Sequence, residues 1–415
     1  MPNRDVEVAI IGGGAAGVAA GHRLREANID FLVIEARRRL GGRAWTVDDG
    51  SGNAIDLGCG WLHSADRNPW TTIAQQHGFT IDKTPPPWGR PALPTGFPPA
   101  EQQEFRNAIE AFYERLSVPD NAPDVPAAAF LAPGNRWNNL INAIGSYISG
   151  AELDRVSARD FENYADTGVN WRAIEGYGAT IAAHGADLPV ALNTSVRRID
   201  HGGKRLKVET ANGTIASNCA IITLPSAVIA SNEQLFVPAL PEKTQAARGL
   251  PLGLADKLFL SLDNAEEFEP DSRIIGRPDH TATAVYHLRP FGRPQIEVYF
   301  GGSNAAAMEA AGKGAFFDFA AMELTGLLGS GFTRRIRPLH LHRWGGDPYA
   351  LGSYSYALPG KSGCRAELAS PIDDRLFFAG EACSTNDFST AHGGWFTGVD
   401  AAEQVIAARG RKTKV

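Results

Sequence analysis

The sequence predicts an α/β protein built around a dinucleotide-binding strand–helix–strand unit, and three observations predict it. Val6 to Ile11 is a short apolar run that reads as a buried strand. Gly12-Gly13-Gly14-Ala15-Ala16-Gly17, a GxGxxG, follows at once and opens an alanine-rich helical run to about Ala27. Phe31-Leu32-Val33-Ile34 is a second apolar strand that ends at Glu35, an acid about 20 residues beyond the glycines.

Each part has a physical task. Gly12 permits the tight turn, Gly14 lets the backbone approach a pyrophosphate, and Gly17 lets the helix lie close to the strand. Ala16 stands in the first turn, where unpaired N–H groups and the positive end of the helix dipole face the phosphates. Glu35 is placed to accept hydrogen bonds from ribose hydroxyls.

Directly after Glu35 the chain reads Ala36-Arg37-Arg38-Arg39-Leu40-Gly41-Gly42-Arg43. This resembles the E-A-x-x-x-x-G-G-R segment of the flavin-containing amine oxidases. The resemblance implies FAD as the dinucleotide, in a Rossmann-type FAD-binding domain joined to an α+β substrate domain. Arg37 and Arg43 are expected near the pyrophosphate, where a guanidinium offsets phosphate charge with several donors. Arg38 and Arg39 read as a solvated basic turn.

The resemblance continues along the chain. Asp56 to His63 is similar to the family's D-x-G-x-x-W-x-H segment, which implies that Gly60 and Trp61 pass over the flavin ring. His63 reads either as a polar group or proton relay on the substrate side, or as a hydrogen-bonded structural histidine. Asn193 to Ile199 matches the strand whose valine, here Val196, holds the adenine. Ala220 to Pro225 looks like the last strand of the nucleotide-binding half. Lys257 falls where the family places a lysine that reaches flavin N5 through a water, and an unpaired lysine among apolar residues would be costly. Nine positions after Trp344 comes Ser353, where some members carry the cysteine that bonds the flavin. A hydroxyl forms no thioether, so non-covalent FAD is expected. Tyr354 takes the place of one wall of an aromatic cage, whereas the second wall falls near Thr390, which offers no ring. Trp395, Phe388 or a residue of the substrate domain is the substitute expected. Gly380 and Glu381 resemble the closing F-A-G-E strand, and Gly394 and Trp395 open the last helix, whose N-terminus is expected at the pyrimidine edge of the flavin.

Flavin signals lie in 1–75, 186–250 and 370–415, which assigns these stretches to the FAD-binding domain, and 76–185 and 251–369 to the substrate domain. Residues 101–183 read largely as amphipathic helices, for example Glu101 to Leu116 and Asn138 to Ile148, and 281–300 has strand character. An antiparallel sheet flanked by helices is the expected result. Thr84 to Pro99 holds seven prolines and Trp88, and reads as an extended connector, with a border to the substrate entrance as the alternative.

Composition narrows the rest. A net charge of −6 without long runs of one sign argues against a nucleic-acid binder. No stretch approaches the ~20 apolar residues needed to span a bilayer, and the charged N-terminus leaves no signal-peptide core, so a cytoplasmic protein is expected. Cys59, Cys219, Cys364 and Cys383 form no CxxC and no metal knuckle, and read as free thiols.

The implied reaction oxidises an amine to an imine, with hydride passing to flavin N5 and dioxygen returning as hydrogen peroxide. Lys257, Tyr354 and His63 are the expected catalytic residues. An L-amino-acid oxidase is the alternative, and it needs a pocket arginine to grip a carboxylate, for which Arg136, Arg172 and Arg289 are candidates. A carbon–carbon desaturase fits Lys257 and the Trp344–Tyr354 segment less well.

Overall fold

The computed structural model describes residues 4–119 and 121–412. Thr413 to Val415, the end of the basic C-terminal run, lie outside the described residues.

Three sheets organise the chain. The first is parallel, in the order Leu376–Phe378, Cys219–Ile222, Val8–Ile11, Phe31–Ile34, Val190–Ala191. Its middle strands are buried at every position, as near-continuous apolar runs in parallel sheets must be. The strand expected within Ala220 to Pro225 forms as Cys219–Ile222 and lies in this sheet between Val8–Ile11 and Leu376–Phe378.

The helix Ala15–Glu26 packs against the long helix Ala391–Lys412. The contact is backbone on backbone. A Cβ on Gly398 would stand 2.2 Å from Ala16 O, and one on Gly17 only 1.9 Å from Gly12 O. Gly17 therefore acts in packing, as its place in the GxGxxG implies.

The second sheet holds Gly213–Ser217, Leu206–Thr210 and Val196–Asp200, antiparallel hairpins turned at Gly202-Gly203 and Ala211-Asn212. Its apolar side chains Ile199, Val208 and Ile215 pack in one core with Ala9, Ile11 and Ile222 of the parallel sheet.

The third sheet is antiparallel, in the order Ser272–Ile275, Val285–Leu288, Gln295–Gly301, Ala255–Leu262, Ile336–Leu341. Alternation gives it two faces of different character. Leu258, Leu260, Tyr286, Ile296 and Val298 pack on Phe316, Ala320 and Leu324 of the helix Lys313–Leu328. Lys257, Tyr299, His287 and Arg273 line a cavity on the other side.

Helices Pro99–Arg115 and Asn138–Ser149 cover that cavity. Between them the helical expectation fails: only a short 3-10 turn, Ala127–Phe130, forms. Pro119, Pro123, Pro126 and Pro133 explain this, since each removes a donor and blocks the preceding turn. Among the described residues, no helix is long and apolar enough to cross a membrane.

Candidate active site

One cavity of about 1490 Å³ runs from the GxGxxG turn to the antiparallel sheet and out past the proline-rich segment. Sites for one small ligand span roughly 300–1,000 Å³, so this space suits a dinucleotide with a second molecule beside it.

Gly12, Gly14, Ala16, Glu35, Ala36, Arg37, Gly42 and Arg43 line the nucleotide end, with Val196 from the second sheet. The fit to a pyrophosphate can be read from the helix Ala15–Glu26. Gly14 caps it without a side-chain hydrogen bond, and its first turn has no acid. The N–H groups there are left to an anion. Around Gly14 a Cβ would meet nothing nearer than Gly42 Cα at 3.8 Å, so bare backbone faces the cavity. Glu35 is buried and accepts from Gly13 N (2.7 Å) and Arg37 N (2.7 Å). Burial raises its pKa against those bonds.

The arginines are fixed by acids from distant parts of the chain. Arg37 makes a bidentate pair with Asp347, at 2.8 and 2.7 Å. Arg43 donates to Glu381 Oε1 (2.8 Å) and to Ser353 O (2.6 Å). Burial raises the Glu381 pKa, but Arg43 overrides it and holds the carboxyl below its ordinary value. Ser355 Oγ and Ser389 N also donate to Glu381. Arg39 corrects the solvated-turn expectation. Its guanidinium stacks 4.6 Å over Trp45 and donates to Gly42 O, Ala44 O and Leu40 O, so it braces the Gly41-Gly42 turn. Burial pushes it down to about 10. Arg38 is exposed.

Lys257 is the charged centre of the deeper chamber. Its Nζ pairs with Glu297 Oε1 (2.9 Å) and donates to Asp56 O (3.0 Å). A Cβ on Gly60 would lie 3.2 Å from that Nζ, so Gly60 leaves the ammonium room. Burial works to discharge both groups, yet their attraction wins: Lys257 stays above the usual lysine range and Glu297 below the usual carboxylate range. Trp61, Trp344, Gly380, Glu381 and Gly394 also line the cavity. Trp344 is held by its indole N–H on Leu57 O (3.1 Å). Ser353 Oγ accepts from Ala255 N (2.8 Å) and donates to Ala255 O (3.1 Å).

Comparison with known proteins agrees with this geometry. Residues 15–406 match the family model described as flavin containing amine oxidoreductase. The chain belongs to this family. Polyamine oxidase 5 of Oryza sativa subsp. japonica is 28% identical over 95% of this chain and 87% of its own length. Polyamine oxidase 2 of Arabidopsis thaliana is 28% identical over 97% and 88%. A solved mutant of putrescine oxidase superimposes with a TM-score of 0.79 at 18% identity, covering 98% of this chain and all of the other. The fold is thus that of the flavin amine oxidases, and the chain is an oxidoreductase acting on amine CH–NH or CH–NH2 donors.

In this amine oxidoreductase His63 lines the cavity, with Nδ1 2.5 Å from Asn170 Oδ1. Asn170 Nδ2 donates to Gly168 O, which fixes its oxygen toward the ring. His63 therefore carries its proton on Nδ1 and leaves Nε2 as an acceptor. Burial lowers its pKa and keeps the imidazole neutral. The bond to Asn170 is the one the structural reading expects, and the position on the cavity wall leaves Nε2 as the nitrogen on which the substrate-side reading rests. Tyr354 also lines the cavity, and its hydroxyl donates to Tyr147 O. With the hydroxyl engaged, the ring is the part left for the cage position expected of it.

Trp395 requires a correction. Its ring is absent from the cavity wall and packs on Trp70 (5.0 Å) and His184 (5.6 Å) in the core. One residue after Gly394 on a helix, its side chain leaves on a different face. Phe388 lines the chamber instead, beside Tyr164 (5.4 Å), whereas Thr390 turns its hydroxyl to Asp387 O.

The connector reading of Thr84 to Pro99 is also corrected, since Trp88, Arg90 and Phe97 line the cavity and Trp88 packs edge-on to Trp61 at 4.5 Å. Arg136, Arg172 and Arg289 do not line it. Arg136 pairs with Glu101 and Glu104, Arg172 is locked between Asp82 and Asp271, and Arg289 donates to Phe268 O. Sequence reasoning missed Glu297, Asp347 and Asn170. Glu297 was open to detection: in Gln-Ile-Glu-Val-Tyr, strict alternation puts Glu297 and Tyr299 on one face.

Proposed function

We propose that the chain binds FAD non-covalently and uses it in the cytoplasm to oxidise a neutral amine to an imine. The observation that carries this is the position of Lys257, held by Glu297 behind it, on the wall of one continuous cavity, between the nucleotide end and an aromatic chamber. The relatives named polyamine oxidases support an amine as the substrate.

Gly12, Gly14, Ala16, Glu35, Arg37, Arg43 and Val196 would hold the nucleotide portion, and Gly60, Trp61, Trp344, Gly380, Glu381 and Gly394 the flavin portion. FAD held there would supply a hydride acceptor for the carbon next to nitrogen and a route for the two electrons to dioxygen, giving hydrogen peroxide. The chain supplies the remaining steps. His63, with Nδ1 engaged by Asn170, would offer Nε2 as a hydrogen-bond acceptor to the N–H of the neutral amine, the form that releases hydride. Lys257 keeps a fixed positive charge and a proton donor at the chamber floor. Tyr354, Phe388 and Tyr164 give apolar walls that exclude water and seat the nitrogen-bearing carbon. Ser353, with its hydroxyl engaged by Ala255, supports a dissociable flavin.

Anaerobic mixing of the FAD-loaded protein with a broad amine panel tests the reading. Bleaching of the visible flavin band by at least one amine, with peroxide release once air is admitted, is the expected outcome. Flavin that stays oxidised with all of them would refute it.

A further inference from the structure

The wall beyond Lys257 is largely apolar, yet one stretch of it is cationic. Arg273 lies in the edge strand Ser272–Ile275, and the segment carrying Arg90 is strapped onto that strand. Leu93 N donates to Arg273 O (2.7 Å), Arg90 Nη2 to Asp271 O (2.7 Å), and Arg273 Nη2 to Arg90 O (3.3 Å). Both arginines line the cavity, and both leave Nε buried without a hydrogen-bond partner. Among the described residues neither has a carboxylate at ion-pairing distance, in contrast to Arg37, Arg43, Arg172 and Arg365, which each hold an acid. Burial without an opposing charge pushes Arg273 down to about 10. A half-buried guanidinium without an opposing charge is costly unless a counter-charge joins it. Arg106, exposed on the cavity rim, adds a third positive group. The acids of the outer wall, Glu162 and Asp166, are exposed to solvent.

Register gives the distance from the reacting end. One row across the sheet reads Lys257, Tyr299, Val285, Ile275, and the next reads Phe259, Glu297, His287, Arg273. Arg273 is thus three strands from Lys257, about 14 Å at the usual strand spacing. That is too far for a carboxylate on the carbon that bears the oxidised nitrogen.

We propose that the substrate is an amine with an anionic group, carboxylate or phosphate, at the far end of an apolar body, and that Arg273 and Arg90 bind that group. This rests on the amine-oxidising reading and adds the substrate class. It differs from a polyamine, whose distal end is cationic.

The test is anaerobic flavin reduction of the FAD-loaded enzyme with matched decyl chains: the monoamine, the terminal diamine, the terminal amino-carboxylate and the terminal amino-phosphate. The two anionic arms separate carboxylate from phosphate. One of them should half-saturate reduction at a concentration about tenfold or more below the monoamine, the effect of a charge-assisted hydrogen bond, and the diamine should be weakest. Arg273→Gln should bring the anion-to-monoamine ratio near one, and Arg273→Glu should turn the preference toward the diamine. Should Arg273 variants fail to fold, Arg90→Gln must shrink the same ratio. A wild-type preference for the diamine, or a ratio unmoved by these substitutions, overturns this proposal alone. Failure of every amine to reduce the flavin sinks the amine-oxidising reading, and this proposal with it.

Discussion

Lys257→Met isolates the ion pair on which the deeper chamber depends. In the native chain Glu297 is almost wholly buried and holds Lys257 at 2.9 Å, with His287 Nδ1 3.4 Å from its other oxygen. Removing one partner of a buried pair costs about 3–5 kcal/mol, because the remaining charge has lost its compensation. For a chain of this length, with unfolding entropy near 2.1 cal/mol/K per residue, that is a fall in melting temperature of roughly 3–6 °C. The sign of the pH dependence also follows. Native Glu297 has a depressed pKa, so the stability it contributes is present above the ordinary carboxylate pKa and is lost only in strong acid. Without Lys257, burial raises that pKa, and the penalty should be larger at pH 8 than at pH 5, where Glu297 takes up a proton. Thermal unfolding of the FAD-loaded variant at both pH values is the assay, with Lys257→Met/Glu297→Gln as the control that recovers most of the loss. A single variant that melts like the wild type, or with the same deficit at both pH values, would refute the reasoning.

Other expectations concern the cofactor. Gly398→Ala places a methyl against Ala16 O and should cost about 1–3 kcal/mol of stability, the usual price of overpacking; FAD titration should show weaker binding as the helix is pushed from the phosphate end. Asp347→Asn breaks the bidentate hold on Arg37 and should raise the FAD dissociation constant by about tenfold, since charge-assisted bonds contribute about 1.5–3 kcal/mol; an unchanged constant would count against a role for Arg37. Acid precipitation of the wild type should release all flavin to the supernatant, given Ser353, and coloured precipitate would disprove non-covalent binding. Asn170→Leu removes the partner of His63 Nδ1 and should lower the rate of flavin reduction while leaving FAD affinity intact, as seen by stopped flow.

How much of this was legible in the sequence varied with the range of the interaction. The nucleotide end was readable because its parts are local. A glycine turn, a helix and an acid within one strand–helix–strand unit leave few alternatives, and Phe31–Ile34 is observed at the bounds expected. The long-range pairs were not readable. Arg37 and Asp347 lie 310 residues apart, and nothing in either neighbourhood names the other. Arg39 looked like a solvated charge because sequence shows the run of arginines but not the Trp45 ring beneath one of them. Trp395 failed for a geometric reason, since the step from Gly394 rotates the side chain from cavity to core. The proline-rich segment read as a connector because its anchorage, Leu93 N on Arg273 O, crosses to a strand that sequence could not place beside it.

The central claim is that the GxGxxG turn and the Lys257 chamber belong to one site, so that what binds at the first reacts at the second. A crystal structure of the FAD-loaded protein soaked anaerobically with an amine that reduces it measures this most directly. Density for a dinucleotide reaching from Gly12 and Glu35 to Lys257, with the amine between its ring and Tyr354, is the predicted result. A flavin lodged elsewhere, or an amine bound away from Lys257 and Tyr354, would contradict the account.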